Sequence, residues 1–537
     1  MFDRACTWLS ACAAHRTTWW LTFFVACVLA LAPLLLVDIP PLLDYPNHMA
    51  RMFVLAFGQT DPVLSRMFAP HWSVIPNLAL DVLIPPMLHV MPLDVAGRIA
   101  IAIAILLPIG GCVALSRAIF GVRSYWPIAS AFAAHNVALR LGLLNFLFGV
   151  GLALLVAALW VAWRDTRPLR TIAITALGAV AVFFCHVMGL ALLMLLLGCR
   201  EAQVILAQKG GARVRFAEVL KRGGALICAF AAPLILFTAS QVASTWTALL
   251  WQPLFAKVYG LFGGFLTVAT SVDLAAAVVC FAFVYVCLRE HRGRMSLWMA
   301  ASGGILWIGY AAAPFFFKGS GFFSTRFPVM ATFLLFAGFV PTALTPRART
   351  ITAIGFVALF CVRMAWIGTV WSDHNTDLAQ LRQVIASVEP GSKVLVLCVP
   401  DDEAPAYWQH TPAGREIPLL FQTDLHEAAL LLSEHKAFWP SMFASASQQP
   451  IVVLPPYADL STPIVGPPPH SALSQPPNPL AASMFPIAPD WRSRFDYVLL
   501  LDAGGEPDLT AWAGDRMDLI SATDAAALFR IRKPRTP

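Results

Sequence analysis

Leu42-Leu43-Asp44-Tyr45-Pro46-Asn47-His48-Met49-Ala50-Arg51 sets an acid, an imidazole and a guanidinium just beyond the first long apolar run of the chain. Pro46 suits the first turn of a helix, where a missing N–H costs nothing, and no further breaker interrupts Asn47 to Phe57. The spacing predicts a helix with His48 and Arg51 on one edge. Asp44 stands at its mouth, beside the positive end of the helix dipole, a placement that favours an ionised carboxylate. Such a group at a membrane surface can take a proton from a hydroxyl.

The apolar run ahead of this stretch, residues 17 to 37, follows Arg4 and Arg16. Ala30-Leu31-Ala32 resembles a signal-peptide cleavage site, but Pro33 directly after it opposes cleavage, so the run reads as a retained first span. The whole chain agrees with a membrane setting. Its 537 residues are 58% hydrophobic and only 12% charged, and the mean hydropathy is +0.71, far too apolar for a soluble chain of this length. The net charge of +7 comes from Lys and Arg gathered between the apolar spans, where such residues set topology, so no nucleic-acid partner is implied. Of eleven cysteines only Cys398 lies in the polar C-terminal region. No disulfide within that region, no CxxC and no Cys/His metal pattern follow.

Spans of about 20 apolar residues, with basic connections on the cytoplasmic side, predict about eleven transmembrane helices. The N-terminus is then cytoplasmic and residues 38 to 97 form a large first outer loop. Within it, Pro76 to Val90 is short, carries Asp81 and His89 and is broken by Pro85-Pro86, which suits a helix lying in the interface and paired with the 47 to 57 helix. Basic marks at 164–170 and 200–222 require two helices in each of 125–163 and 171–199, with outer turns near His135 to Arg140 and near Cys185-His186. A later outer segment carries Trp246, Trp251, Lys257 and Tyr259, and the outer loop 315–328 holds Lys318 and Ser324-Thr325-Arg326. The last span, 351 to 371, carries Arg363 in its outer half. The expected domains are therefore a membrane module, 1–371, which includes the first loop, and a soluble α/β domain outside the membrane, 372–537. Lys393 to Val399, Ile451 to Leu454, Tyr497 to Leu501 and Leu528 to Ile531 are its strands, Leu425 to His435 is helical, and the Pro-rich 455–489 is loop.

A cytoplasmic N-terminus, an acid in a large first outer loop with two interfacial helices, polar outer turns and a soluble outer tail resemble the GT-C superfamily of membrane glycosyltransferases. That superfamily includes the protein O-mannosyltransferases and the aminoarabinose and Rgt-type lipopolysaccharide transferases. The likeness covers the whole chain as architecture, and locally it rests on Asp44-Tyr45-Pro46-Asn47-His48. Many members carry an acidic pair here, whereas Tyr45 follows the Asp in this chain.

The resemblance implies an inverting sugar transfer at the outer face of the bacterial inner membrane, with the C-terminal domain periplasmic. The donor is a sugar on a polyprenyl phosphate, and the acceptor an envelope glycan, lipid or protein. It makes Asp44 the general base and His48, Arg51, His186, Arg326 and Arg363 the candidates for binding the donor phosphate. No cofactor is implied, and no divalent metal is indicated. A transporter or lipid flippase is the alternative, opposed by the lack of an internal repeat and by charges clustered at one face instead of along a path. A non-catalytic envelope assembly protein is the third reading.

Overall fold

The computed structural model describes residues 15–209, 211–241, 249–268, 270–317, 320–399, 416–417, 421–422, 424–462, 466–473 and 490–534. Arg4, Trp246 and Lys318 lie outside the described residues. The chain divides into two compact units. The first takes residues through Leu35, Val74–Leu80 and Arg98–Gly368; the second takes Leu36–Ser73, Asp81–Gly97 and Thr369–Pro537.

The first unit is helical. Among the described residues, eight helices are long and apolar enough to cross a membrane: Arg16–Leu35, Leu93–Phe120, Leu144–Trp163, Pro168–Cys185, Val187–Ala207, Ala212–Ala239, Thr270–Arg289 and Pro346–Ile385. Leu297–Ala312 and Arg326–Gly338 are apolar but shorter. Three contributors to the expected eleven spans differ from the expectation, the first being Leu297–Ala312, which has 16 residues. Arg326–Gly338 has 13 residues, about 20 Å of rise, and stops where Phe339–Pro341 pairs antiparallel with Gly293–Met295. Residues 125–163 hold one long helix, not two. Ahead of Leu144–Trp163 come a 3-10 stretch, Trp126–Ala133, and a single turn, Val137–Arg140. Pro127 opens the 3-10 stretch. Asn136 then starts the next turn by accepting from the amides of Ala138 and Leu139, and Gly142 at φ +78° turns the chain into the long helix. Almost all of this irregular backbone is buried within the unit, the condition under which non-helical backbone survives at membrane depth.

Small residues let the helices of this unit approach closely. A Cβ on Gly189 would meet the backbone of Gly149 at 2.8 Å, so Leu144–Trp163 and Val187–Ala207 touch backbone to backbone. At the other end of these helices Arg222 gathers three acids: Glu201 at 2.6 Å, Glu218 at 2.9 Å and Asp165 at 3.2 Å, with the Trp160 indole also donating to Glu201.

The second unit groups residues differently from the expected division at 371/372. Most of the first loop does not belong with the helices. It shares one hydrophobic core with the tail, in which Ala50, Val54, Leu64, Met67 and Phe68 pack with Leu431, Trp439 and Val498. Ile451–Val453 is a strand as expected, but it pairs antiparallel with Phe68–Pro70 of the loop, outside the main sheet. That sheet has four strands: Val394–Cys398 runs parallel to Tyr497–Leu501, and Ala526–Ile531 lies antiparallel between Tyr497–Leu501 and Met517–Ala522. All but Met517–Ala522 are almost wholly apolar and buried, which is why they read clearly in the sequence. The loop helices are Tyr45–Phe57 and the nine-residue Ala79–Met87, far too short to span. Arg51 and Asp81 join them, as the expected pairing requires, through Nε–Oδ1 at 2.7 Å.

Candidate functional site

The Tyr45–Phe57 helix starts where the sequence places it, with Asp44 at the N-cap. Its carboxylate does not cap the helix. Asp44 has helical backbone angles, φ −83° and ψ −10°, instead of the extended ones that turn a cap side chain back on the first turn, and Pro46 removes one of the two amides a cap would meet. The carboxylate faces the tail instead. His426 Nδ1 lies 3.2 Å from Asp44 Oδ1, and the two side chains are 10% and 17% exposed. The atoms are within ion-pair distance without the alignment of a hydrogen bond.

Aromatic rings fix this corner. The His426 ring meets Phe443 edge-on at 5.1 Å and Trp439 at 5.9 Å, and His48 meets the same Phe443 at 5.4 Å. Asn47 ties the Phe443 segment down: its amide donates to the Ser441 carbonyl and its oxygen accepts from the Phe443 amide. His48 is buried, and its Nδ1 has no hydrogen-bond partner among the described residues. Burial first, then the charges of Arg51 and His426, hold its pKa well below the ordinary imidazole value, so it is neutral.

Arg51 is committed to an acid of its own unit. It is 1% exposed and forms a two-point pair with Asp81, Nε–Oδ1 at 2.7 Å and Nη2–Oδ2 at 3.1 Å. That pair ties two helices of the first loop together.

In the helical unit His186 stands alone between Pro168–Cys185 and Val187–Ala207, closing one helix and opening the next, where its Nδ1 accepts from the Met188 amide at 3.0 Å. Arg326 opens Arg326–Gly338, donates to the Gly321 carbonyl at 2.9 Å and to Ser320 Oγ at 3.2 Å, and acts electrostatically on the His186 ring. A guanidinium at the positive end of a helix concentrates positive potential there, a setting suited to an anion. Arg363 is different. Nε meets Asp273 at 2.9 Å, Nη1 the Phe132 carbonyl at 2.6 Å, and Nη2 the carbonyls of His135 and Phe265 at 2.8 and 2.5 Å. It satisfies carbonyls at and just beyond the end of the 3-10 stretch, which lack helical partners.

Sequence reasoning missed His426. Only Asp424-Leu425-His426-Glu427, three titratable residues ahead of an apolar helix, marks it, and nothing in that pattern points to a residue 382 positions earlier in the chain.

Neither a protein-family model nor a curated protein matches the sequence. Among solved structures, ArnT from Cupriavidus metallidurans bound to undecaprenyl phosphate matches with a TM-score of 0.50, and the same protein in the apo state with 0.51. In both, 96% of this chain aligns with 98% of ArnT at 12% identity. The fold is similar to that of ArnT. The ArnT-like fold, together with the apolar helices, makes this a multi-pass membrane protein with a sheet-containing C-terminal region. Among the described residues no group of three or more His, Cys, Asp or Glu is arranged to hold a metal ion.

Proposed function

We propose that this protein is an integral membrane glycosyltransferase that moves a sugar from a polyprenyl-phosphate carrier to a hydroxyl of an envelope glycan, lipid or protein, at the outer face of the inner membrane. One observation carries the reading. Asp44, on an ArnT-like fold, keeps its carboxylate free of its own helix, partly exposed and faced by an imidazole. A carboxylate so placed is suited to general-base work.

In the proposed step Asp44 takes the proton of the acceptor hydroxyl while that oxygen bonds to the anomeric carbon. The bond from that carbon to the phosphate oxygen breaks, and its electron pair leaves with the polyprenyl phosphate. Attack opposite the leaving group inverts the anomeric centre. The donor class is supported by the undecaprenyl phosphate held by one of the matching ArnT structures. For the phosphate we propose Arg326, at a helix N-terminus, with His186 acting with it; charge developing on a leaving phosphate is what a guanidinium stabilises best. His48, neutral and with an unused ring nitrogen, is the proposed hydrogen-bonding group on the side of the base.

Mass analysis of envelope lipids and glycans in a deletion strain identifies the missing sugar. Asp44→Asn is then expected to lower transfer of that sugar in proteoliposomes by about 10²- to 10⁴-fold, with unchanged thermal unfolding. A folded Asp44→Asn protein with unimpaired transfer overturns the reading. So does labelling of a cysteine placed beside Asp44 from the cytosolic side alone.

A further inference from the structure

We propose that His426 is the positioning residue of Asp44: its Nδ1–H holds one carboxylate oxygen so that the other meets the acceptor hydroxyl. This rests on the reading of Asp44 as general base and adds a residue to it from the other end of the chain.

The need for such a residue follows from the local backbone. An Asp at a helix N-cap is usually held by the amides of its own first turn, and here helical angles at Asp44 together with Pro46 take that hold away. A carboxylate on a rotatable side chain then requires another group to fix which oxygen points where. His426 Nδ1 lies 3.2 Å from Oδ1. The imidazole has little freedom of its own, because it is buried and set edge-on against Phe443 and Trp439. The contact is close yet unaligned, and catalytic hydrogen bonds in unliganded proteins are commonly long or bent and tighten when substrate binds.

A neighbouring pair gives the contrast within the same segment. Glu427, the next residue, meets His374 Nε2 at 2.9 Å, with the two side chains 7% and 4% exposed. That pair is closed off more fully than Asp44 and His426. Two consecutive residues of the tail thus each join an acid to an imidazole, and only the pair that contains Asp44 involves the proposed base.

The test compares His426→Asn, whose amide can place a donor near the Nδ1 position, with His426→Leu, which has none. Both are read in full-length protein in proteoliposomes, with kcat and KM measured separately and thermal unfolding alongside. His426→Leu is expected to lower kcat by about 100-fold, the size of effect that follows misplacement of a reacting group, with KM for donor and acceptor unchanged. His426→Asn is expected to recover most of that loss. In an Asp44→Asn background His426→Leu is expected to have no further effect. His374→Asn, the control, is expected to lower the unfolding midpoint and leave kcat and KM where they are. If His426→Leu does not fold, His426→Gln, whose donor falls at the Nε2 position, replaces it with the same expectation.

The proposal is overturned if donor-bearing and donor-lacking variants transfer equally well, or if the loss is in KM alone. It is also overturned if His426→Leu and Asp44→Asn are additive. Should Asp44→Asn abolish transfer while every His426 variant is fully active, the base assignment stands and only the positioning role fails. Should Asp44→Asn itself be active, the failure belongs to the functional reading.

Discussion

The Arg363–Asp273 pair of the helical unit and the Asp44–His426 pair of the second unit are both contacts of about 3 Å between an acid and a nitrogen base, 2.9 and 3.2 Å, and they are built in opposite ways. Arg363 and Asp273 are each 1% exposed, and most of their hydrogen-bonding capacity is used. The arginine serves three carbonyls beside its acid, while the carboxylate also accepts from the amide and hydroxyl of Thr267. Asp44 is partly exposed, leaves its own helix uncapped and meets one imidazole without alignment. A nearly saturated pair is suited to holding structure, because most new partners must displace an old one. An unsaturated pair near the surface has room for a reacting group.

That contrast can be broken by mutation. Arg363→Leu leaves Asp273 buried without its charge partner and strips carbonyls at the end of the 3-10 stretch, so a loss of about 3–5 kcal/mol is expected in unfolding followed in detergent. Adding Asp273→Leu should recover part of that loss, since removing both charges leaves no lone buried ion. If Arg363→Leu unfolds like the parent protein but loses donor binding, the pair is functional after all and the distinction fails.

His48 sharpens the comparison from the other side. Burial keeps its imidazole neutral in the fold, whereas in the unfolded chain it takes a proton below about pH 6.5. Its contribution to stability is therefore constant above that value. It falls as pH decreases toward the depressed folded value, by up to about 1.4 kcal/mol per pH unit. The slope of the unfolding midpoint against pH between 6.5 and 5, roughly the window set by the ordinary imidazole value, should shrink in His48→Gln by the share of one proton.

The smallest effect is expected at Asp61 and Lys436, a pair at 2.5 Å with the lysine well exposed. The hydrogen bond from Lys436 holds the Asp61 carboxyl below its ordinary range. Its stabilisation is present above that range and disappears as pH falls through the depressed value. Lys436→Ala should cost no more than about 1 kcal/mol at neutral pH, and less in high salt.

Much of this was legible in the sequence, for physical reasons that differ by element. The Tyr45–Phe57 helix announced itself through Pro46 and an uninterrupted run, and the turn at His186 through charge counting between apolar spans. The strands Val394–Cys398 and Tyr497–Leu501 are continuous apolar runs. Hidden were the features set by distant parts of the chain. The 3-10 stretch at Trp126–Ala133 is as apolar as a span, and only the carbonyls met by Arg363 and the turn capped by Asn136 reveal that it is broken. Arg51 and Arg363 read as free cations because their acids, Asp81 and Asp273, lie 30 and 90 residues away. The first loop read as part of the membrane module because nothing local tells Phe68 that its strand partner is Val453. At the candidate site Asp44 and His48 were visible as a local cluster, whereas His426 was not.

The strand pairing of Phe68–Pro70 with Ile451–Val453 also dictates an order of events during biosynthesis. The early strand emerges roughly 380 residues before its mate, about 20–80 s at ordinary elongation rates. For that interval the nascent loop exposes an unpaired edge and the apolar side chains of Met67 and Phe68. Its core is completed only when the carboxyl-terminal third of the chain arrives.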